Sequence, residues 1–389
     1  MGKIERKKDI LLTIPFFIIL IFGALMGYFS FVEAFEKARA IGIDEISRRA
    51  DDLPSPITRD YKERVKVELE VVSSIAEFDE GKTFEYWTFN RQIPGPFVRV
   101  RQGDTVEVQL THIHKDSPMK GHSHDLSRIR SNPQDVHIKA GHGEHSVDFH
   151  AVLGFMGGAD LIKVAPGETK SFEFKTTRPG IYIYHCGSSH VPTHLARGMY
   201  GMILVEPEGG LSKVDKEYYV MQGELYTEGD LGDMGFQKLS KKKLLKEQPE
   251  YYIFNGRVGA LTGDNALTSN IGETVRIFFG NSGQNISSFH IIGGIFDKVY
   301  SQGDITSPPL KNVQTTLVPA GGAVVVETKT EVPGILRLVD HALTRAIDRG
   351  AIGELIVSGE DRPDLIKALE SRDNMNMNMN MNMDMDMPQ

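Results

Sequence analysis

The chain has 389 residues, enough for two folded domains at roughly 100–200 residues each. Its content of 40% hydrophobic and 25% charged residues is that of a globular protein, and a formal net charge of −8 excludes the basic surface a nucleic-acid partner needs. Gly 39 and Pro 18 indicate many turns and fit an all-β architecture.

Ile10 to Val32 carry no charge, a run of 23 residues. As a helix it would be about 34 Å long, enough to cross a hydrocarbon core of about 30 Å. Lys3, Arg6, Lys7 and Lys8 precede it, and Glu33 and Glu36 follow. The positive-inside rule then leaves the N-terminus in the cytoplasm and the rest of the chain outside. A cleaved signal peptide is the alternative, with Ala38-Arg39-Ala40 as a cleavage site. The apolar run exceeds the roughly 7–15 residues of such a peptide, which favours a retained single-pass anchor. Residues 1–36 are read as anchor and 37–62 as a charged stalk, in part helical.

From Tyr61 the pattern becomes strand-like. Val65, Val67 and Leu69 alternate with charged residues, and Val98, Val100, Val106, Val108 and Leu110 do so around the turn signal Gly103-Asp104. The second half echoes the first. Gln102-Gly-Asp-Thr-Val-Glu-Val108 is matched by Ile271-Gly-Glu-Thr-Val-Arg-Ile277, and Arg178-Pro-Gly-Ile181 by Val332-Pro-Gly-Ile335. The expected fold is all-β, two tandem β-sandwiches over 63–210 and 211–359, behind the N-terminal helix. Lys238 to Lys246 read as a basic helix or loop. The tail 360–389 opens as a short helix candidate and then becomes an Asn-Met repeat with seven methionines from Met375 to Met387. It reads as disordered, with thioether binding of Cu(I) as the alternative.

The chemistry lies between His145 and Met199. The order is His145-Ser-Val-Asp148-Phe-His150, then Tyr184-His185-Cys186, then His194 and Met199. Cys186 is the lone cysteine, so it makes no internal disulfide. Two His, one Cys and one Met form the ligand set of a blue-copper electron-transfer centre. Adjacent strand residues point to opposite faces, so if Cys186 faces the sandwich interior, His185 faces out. His150, five residues beyond His145, can join it. This outward pair needs a third ligand, for which His341 is the leading candidate. An all-imidazole site with three protein ligands leaves a position open for substrate.

These segments resemble the copper-containing nitrite reductases, as do Val258-Gly-Ala-Leu-Thr-Gly-Asp-Asn265, Phe289-His-Ile-Ile-Gly293 and Val339-Asp-His341. The likeness runs over roughly residues 85–360, and the Cys186 to His194 spacing is similar to the subgroup with a short ligand loop. The resemblance implies that the two sandwiches are cupredoxin-like Greek-key domains, and that the protein is a homotrimer with two coppers per subunit. His145, Cys186, His194 and Met199 would hold the type-1 copper. His150 and His185, with His341 of the neighbouring subunit, would hold the type-2 copper. An electron from a small donor protein, a cupredoxin or a cytochrome c, would enter at type-1 and pass through Cys186-His185. Nitrite would be reduced to nitric oxide with two protons, Asp148 and His290 acting as acids and Ile292 crowding the substrate pocket.

Two features depart from that pattern. The insertion 111–144 is long and carries His112, His114, His122, His124, His137 and His142. It reads either as a solvated loop or as an accessory metal site. His190 is an extra imidazole that could exchange with His194. A laccase-like multicopper oxidase would need more His-x-His pairs, and Cys186 is followed by Gly187 rather than His. An anchored cupredoxin that only carries electrons would not need the set His150, His185 and His341.

Overall fold

The computed structural model describes residues 45–113 and 143–368. The expected anchor, most of the His-rich insertion and the Asn-Met repeat lie outside the described residues. Among those described, no helix is long and apolar enough to cross a membrane.

Four sheets make up the fold, and strand alternation explains how they pair. In strand Arg64–Asp79, Val67, Leu69 and Val71 are buried while Lys66, Glu68 and Glu70 face solvent. Its sheet has the order Gly235–Gln237, Lys82–Phe89, Arg64–Asp79, Thr105–His112, Thr169–Lys175. It packs on a second sheet ordered Val98–Arg101, Tyr200–Glu206, Gly180–His185, Asp148–Phe149. Val106, Val108, Leu110, Phe149, Tyr184, Cys186, Met199 and Ile203 fill the core between them. The third sheet runs Tyr251–Phe254, Lys216–Leu225, Thr274–Asn281, Gly322–Lys329, Phe296–Tyr300, Leu310–Val313. The fourth runs Leu267–Asn270, Ile352–Ser358, Gly334–Asp340, Ser287–Ile292, Thr315–Val318. Val220, Ile277, Phe279, Phe289, Val326 and Leu338 lie in the core those two share.

The internal repeat is structural. Gly103 and Gly272 both adopt φ +89, a left-handed turn conformation that suits glycine. Each turn leads into a strand, Thr105–His112 or Thr274–Asn281, that pairs parallel with the first strand of its own half. Lys241–Leu245 is a short helix capped by Ser240, whose side chain accepts from Lys243 N–H. At the C-terminal end, the helix expected from Glu360 is replaced by a turn at Arg362, whose carbonyl accepts from the amides of Leu365 and Ile366. Pro363 and the local Arg362–Asp364 ion pair, 2.7 Å, hold the chain in that turn.

The two halves meet through a third core. Strand Tyr200–Glu206 turns Ile203 and Val205 into the first core, and Tyr200, Met202 and Leu204 toward the second half. Strand Lys216–Leu225 sends Tyr218 and Val220 one way, and Tyr219 and Met221 back toward Met202 and Phe278. Residues 45–54 lie in this junction. Ile46 and Ala50 are buried, Arg48 Nε donates to the Pro94 carbonyl, and the Ala50 carbonyl accepts from Tyr219 N–H.

A buried ionic chain crosses the same boundary. Arg99 contacts Glu206 at 2.5 Å and Glu217 at 2.6 Å, while Arg276 contacts Glu217 at 2.8 Å and Glu327 at 2.6 Å. Removing one member of such a network strands charges away from water. Arg99→Ala is therefore expected to cost about 3–5 kcal/mol. Chemical denaturation monitors this, and an unmoved midpoint would mean that Glu206 and Glu217 tolerate being unpaired.

Candidate metal centres

Three elements converge on Cys186. Strand Gly180–His185 delivers it at its end, the helix Val191–Ala196 carries His194, and His145 bridges to Val164 from the segment before strand Asp148–Phe149. Backbone bonds fix the spacing, since Cys186 N–H donates to the Met199 carbonyl and Met199 N–H to the His194 carbonyl. His145, Cys186 and Met199 are fully buried and His194 nearly so. One ligand atom each from His145, Cys186 and His194 lie within 4.8 Å of one another, and His145 Nδ1 is 3.7 Å from Cys186 Sγ.

Electrostatics at this cluster favour a metal. Burial, with His194 and His112 nearby, pushes His145 down to about 3. Burial takes His194 down to about 4, against a hydrogen bond to the Ser189 carbonyl; the charge of Arg197 adds to the depression. Burial raises the Cys186 thiol, opposed by the amides of Ser146 and Ser188. His194 Nδ1 is buried without a hydrogen-bond partner among the described residues. A buried nitrogen with no partner costs free energy, and a metal would satisfy it. Two neutral imidazoles and a thiol that must ionise suit a thiophilic ion such as copper.

Both imidazoles are neutral in the fold and charge in the unfolded chain near the ordinary value of 6.5. Their contribution is complete above about pH 6.5 and is lost as pH falls toward the folded values. We expect the unfolding midpoint of the copper-free protein to drop between pH 6.5 and 4; a flat profile in a denaturant titration contradicts these depressed values.

His150 and His185 form the second cluster with Asp148. Their Nε2 atoms face each other at 3.1 Å. His185 Nδ1 lies 3.0 Å from the Cys186 carbonyl, and His150 bonds the Gly321 carbonyl. A backbone carbonyl on one nitrogen sets the tautomer and presents the other nitrogen to a metal. Although His150 stands at the surface, the protein around its ring and the neighbouring His185 hold it below the ordinary imidazole value. Asp148 Oδ2 is 4.0 Å from His185 Nε2. Gly157, at φ +64, passes so close that a Cβ there would collide with Asp148 Oδ1.

His341 does not join this cluster within the chain. It sits beyond strand Gly334–Asp340 beside His290, ring centroids 4.9 Å apart. His290 Nδ1 lies 2.6 Å from the Gln314 carbonyl, and Ile292 is exposed at the end of the same strand. Of the histidines in the insertion, only His112 is described; it ends strand Thr105–His112 with its ring 4.9 Å from His145. His190 stands at the N-cap position of the helix Val191–Ala196, its Nδ1 2.7 Å from the Thr193 side-chain Oγ1, and His194, not His190, lies in the cluster with Cys186. Sequence reasoning did not single out Trp87, whose indole meets His194 at 4.9 Å and His145 at 5.4 Å. The signal was its being the chain's one tryptophan, within the strand Lys82–Phe89.

The multicopper oxidase family profile matches residues 64–209. A copper-containing nitrite reductase from Neisseria meningitidis is 46% identical over 325 residues, 83% of this chain and 77% of that protein. The chain belongs to the copper-containing nitrite reductase family. A Pseudomonas chlororaphis member is 32% identical, covering 75% of this chain and 78% of its own. The solved copper nitrite reductase from Nitrosomonas europaea superposes with a TM-score of 0.63 at 33% identity, over 77% of this chain and 96% of that one. The family is copper-dependent, and the buried His145–Cys186–His194 cluster suits that metal.

Proposed function

We propose that this enzyme reduces nitrite to nitric oxide and water, consuming one electron and two protons. The observation that carries the site assignment is the adjacency of His185 and Cys186, one facing the outer imidazole pair and the other the buried thiol cluster. His145, Cys186, His194 and Met199 would hold the type-1 copper; His150, His185 and a neighbouring subunit's third imidazole would hold the type-2 copper. When bound, the coppers supply the stored electron and a Lewis-acidic binding position for nitrite. The Cys186–His185 peptide is the shortest covalent link between the two ligand sets.

The chain's own groups handle protons and shape. Asp148 lies on the same face as His150 and is partly exposed, so its carboxyl can hydrogen-bond the substrate and pass a proton. His290 Nδ1 is held by the Gln314 carbonyl, which sets the ring and suits it to act as a second acid through Nε2. Ile292, two residues on, would narrow the substrate position.

His290 and His341 lie together but apart from His150 and His185, so assembly with a second copy is needed to complete the site. Exposed apolar residues support this on both sides: Leu153, Phe155 and Met156 follow His150, and Ile286, Ile292 and Leu317 surround His290. A homotrimer closes such a heterologous contact. The uncharged run 10–32 supports anchoring in the cytoplasmic membrane, with the catalytic domains outside it and fed by a cupredoxin or a cytochrome c.

Copper counting with electron paramagnetic resonance tests the reading. Two coppers per protomer are expected, one of which changes its signal on adding nitrite. A single copper, or a signal indifferent to nitrite, refutes it. His290→Ala should keep both coppers and lose at least about tenfold in turnover; full activity removes His290 from proton delivery.

A further inference from the structure

Arg197 lies two residues before Met199 and its carbonyl accepts from Trp87 N–H at 2.8 Å, so helix end and strand are tied together. Its side chain folds back over the indole, with the guanidinium carbon 4.7 Å from the Trp87 ring centroid. The same indole meets the His194 and His145 rings edge-on. The guanidinium is thus one aromatic ring away from both imidazoles of the thiol cluster. It is largely buried, and Nη1 donates to Glu85 Oε2 at 2.8 Å and to the Glu85 carbonyl at 2.6 Å. Nε has no acceptor among the described residues, as expected of a cation laid flat on an aromatic face.

A buried fixed charge near a redox centre favours the oxidation state that it offsets. Reduction lowers the positive charge at the metal by one unit, so a nearby guanidinium stabilises the reduced form, and low local dielectric strengthens the effect. Glu85 opposes it. We propose that Arg197 is a positioning residue whose charge, held against the outer face of Trp87, raises the reduction potential of the copper at His145, Cys186 and His194. Glu85 sets the size of the effect by partial neutralisation. The pair would adjust how readily the enzyme takes an electron from its donor without touching substrate. This inference rests on the copper assignment above.

The test is spectroelectrochemical titration of the visible thiolate–copper band in the full-length, copper-loaded enzyme and three variants. In Arg197→Gln the ratio of reduced to oxidised centre at a fixed applied potential should fall at least threefold, equivalent to about 28 mV at 59 mV per decade. Glu85→Gln should move it the opposite way, and Arg197→Lys should stay closer to the parent than Arg197→Gln. A fully blue Arg197→Gln enzyme with an unmoved potential overturns the proposal, as does an Arg197→Lys shift as large as that of glutamine. If Arg197→Gln fails to fold, the sign of the Glu85→Gln shift decides, and no shift there counts against it. Absence of the thiolate band in the parent enzyme sinks the copper assignment itself, whereas an unmoved potential in blue variants sinks only this inference.

Discussion

Cys186→Ala is expected to abolish the visible sulfur-to-copper band and to bring nitrite turnover down to background, with the outer copper still bound. Cys186 is the chain's one cysteine, so no second thiolate can replace it. The remaining candidates, two imidazoles and a thioether, form a harder, weaker set that lacks the anionic donor. The substitution is small, the site is already close-packed, and the Cys186 backbone bond to Met199 survives it. The fold should therefore persist, and the loss would report on chemistry rather than collapse. Absorption and copper content, read on the same sample, check this. A surviving band would refute the assignment of Cys186 as ligand.

Asp148→Asn is expected to lower turnover by an order of magnitude or more, with both coppers retained. The amide keeps the shape of the carboxylate but cannot take up and release a proton at neutral pH. An isostere is chosen because Gly157 lies so close against the Asp148 carboxylate that a Cβ there would collide with Oδ1. Steady-state rates across pH and copper analysis together give the answer. Undiminished turnover would reduce Asp148 to a surface carboxylate beside His185.

How much of this could be read beforehand follows from physical cause. The residues of the two clusters were legible because soft-metal chemistry restricts residue types, and because period-2 alternation assigns Cys186 and His185 to opposite faces. The repeat was legible because turns at Gly103 and Gly272 demand the same backbone conformation. The junction between the halves was less so. Tyr200–Glu206 and most of Lys216–Leu225 are buried on both faces, so neither shows the period-2 alternation that would choose a face. Which residues flank the ligands was also hidden. The stack Arg197–Trp87–His194 joins positions more than a hundred residues apart, and no local pattern marks such a contact.

The doubly buried junction constrains how such a protein can be cut or recombined. Tyr219, Met221 and Phe278 from the second half interleave with Met202, Tyr200 and Leu204 from the first. Ending the chain after Glu206 would turn that seam into a wide greasy flank and take Glu217 away from Arg99, leaving that guanidinium with Glu206 alone. A free-standing electron carrier therefore cannot be obtained from this gene by truncation alone; its new outer wall would have to be rewritten, residue by residue, in polar letters.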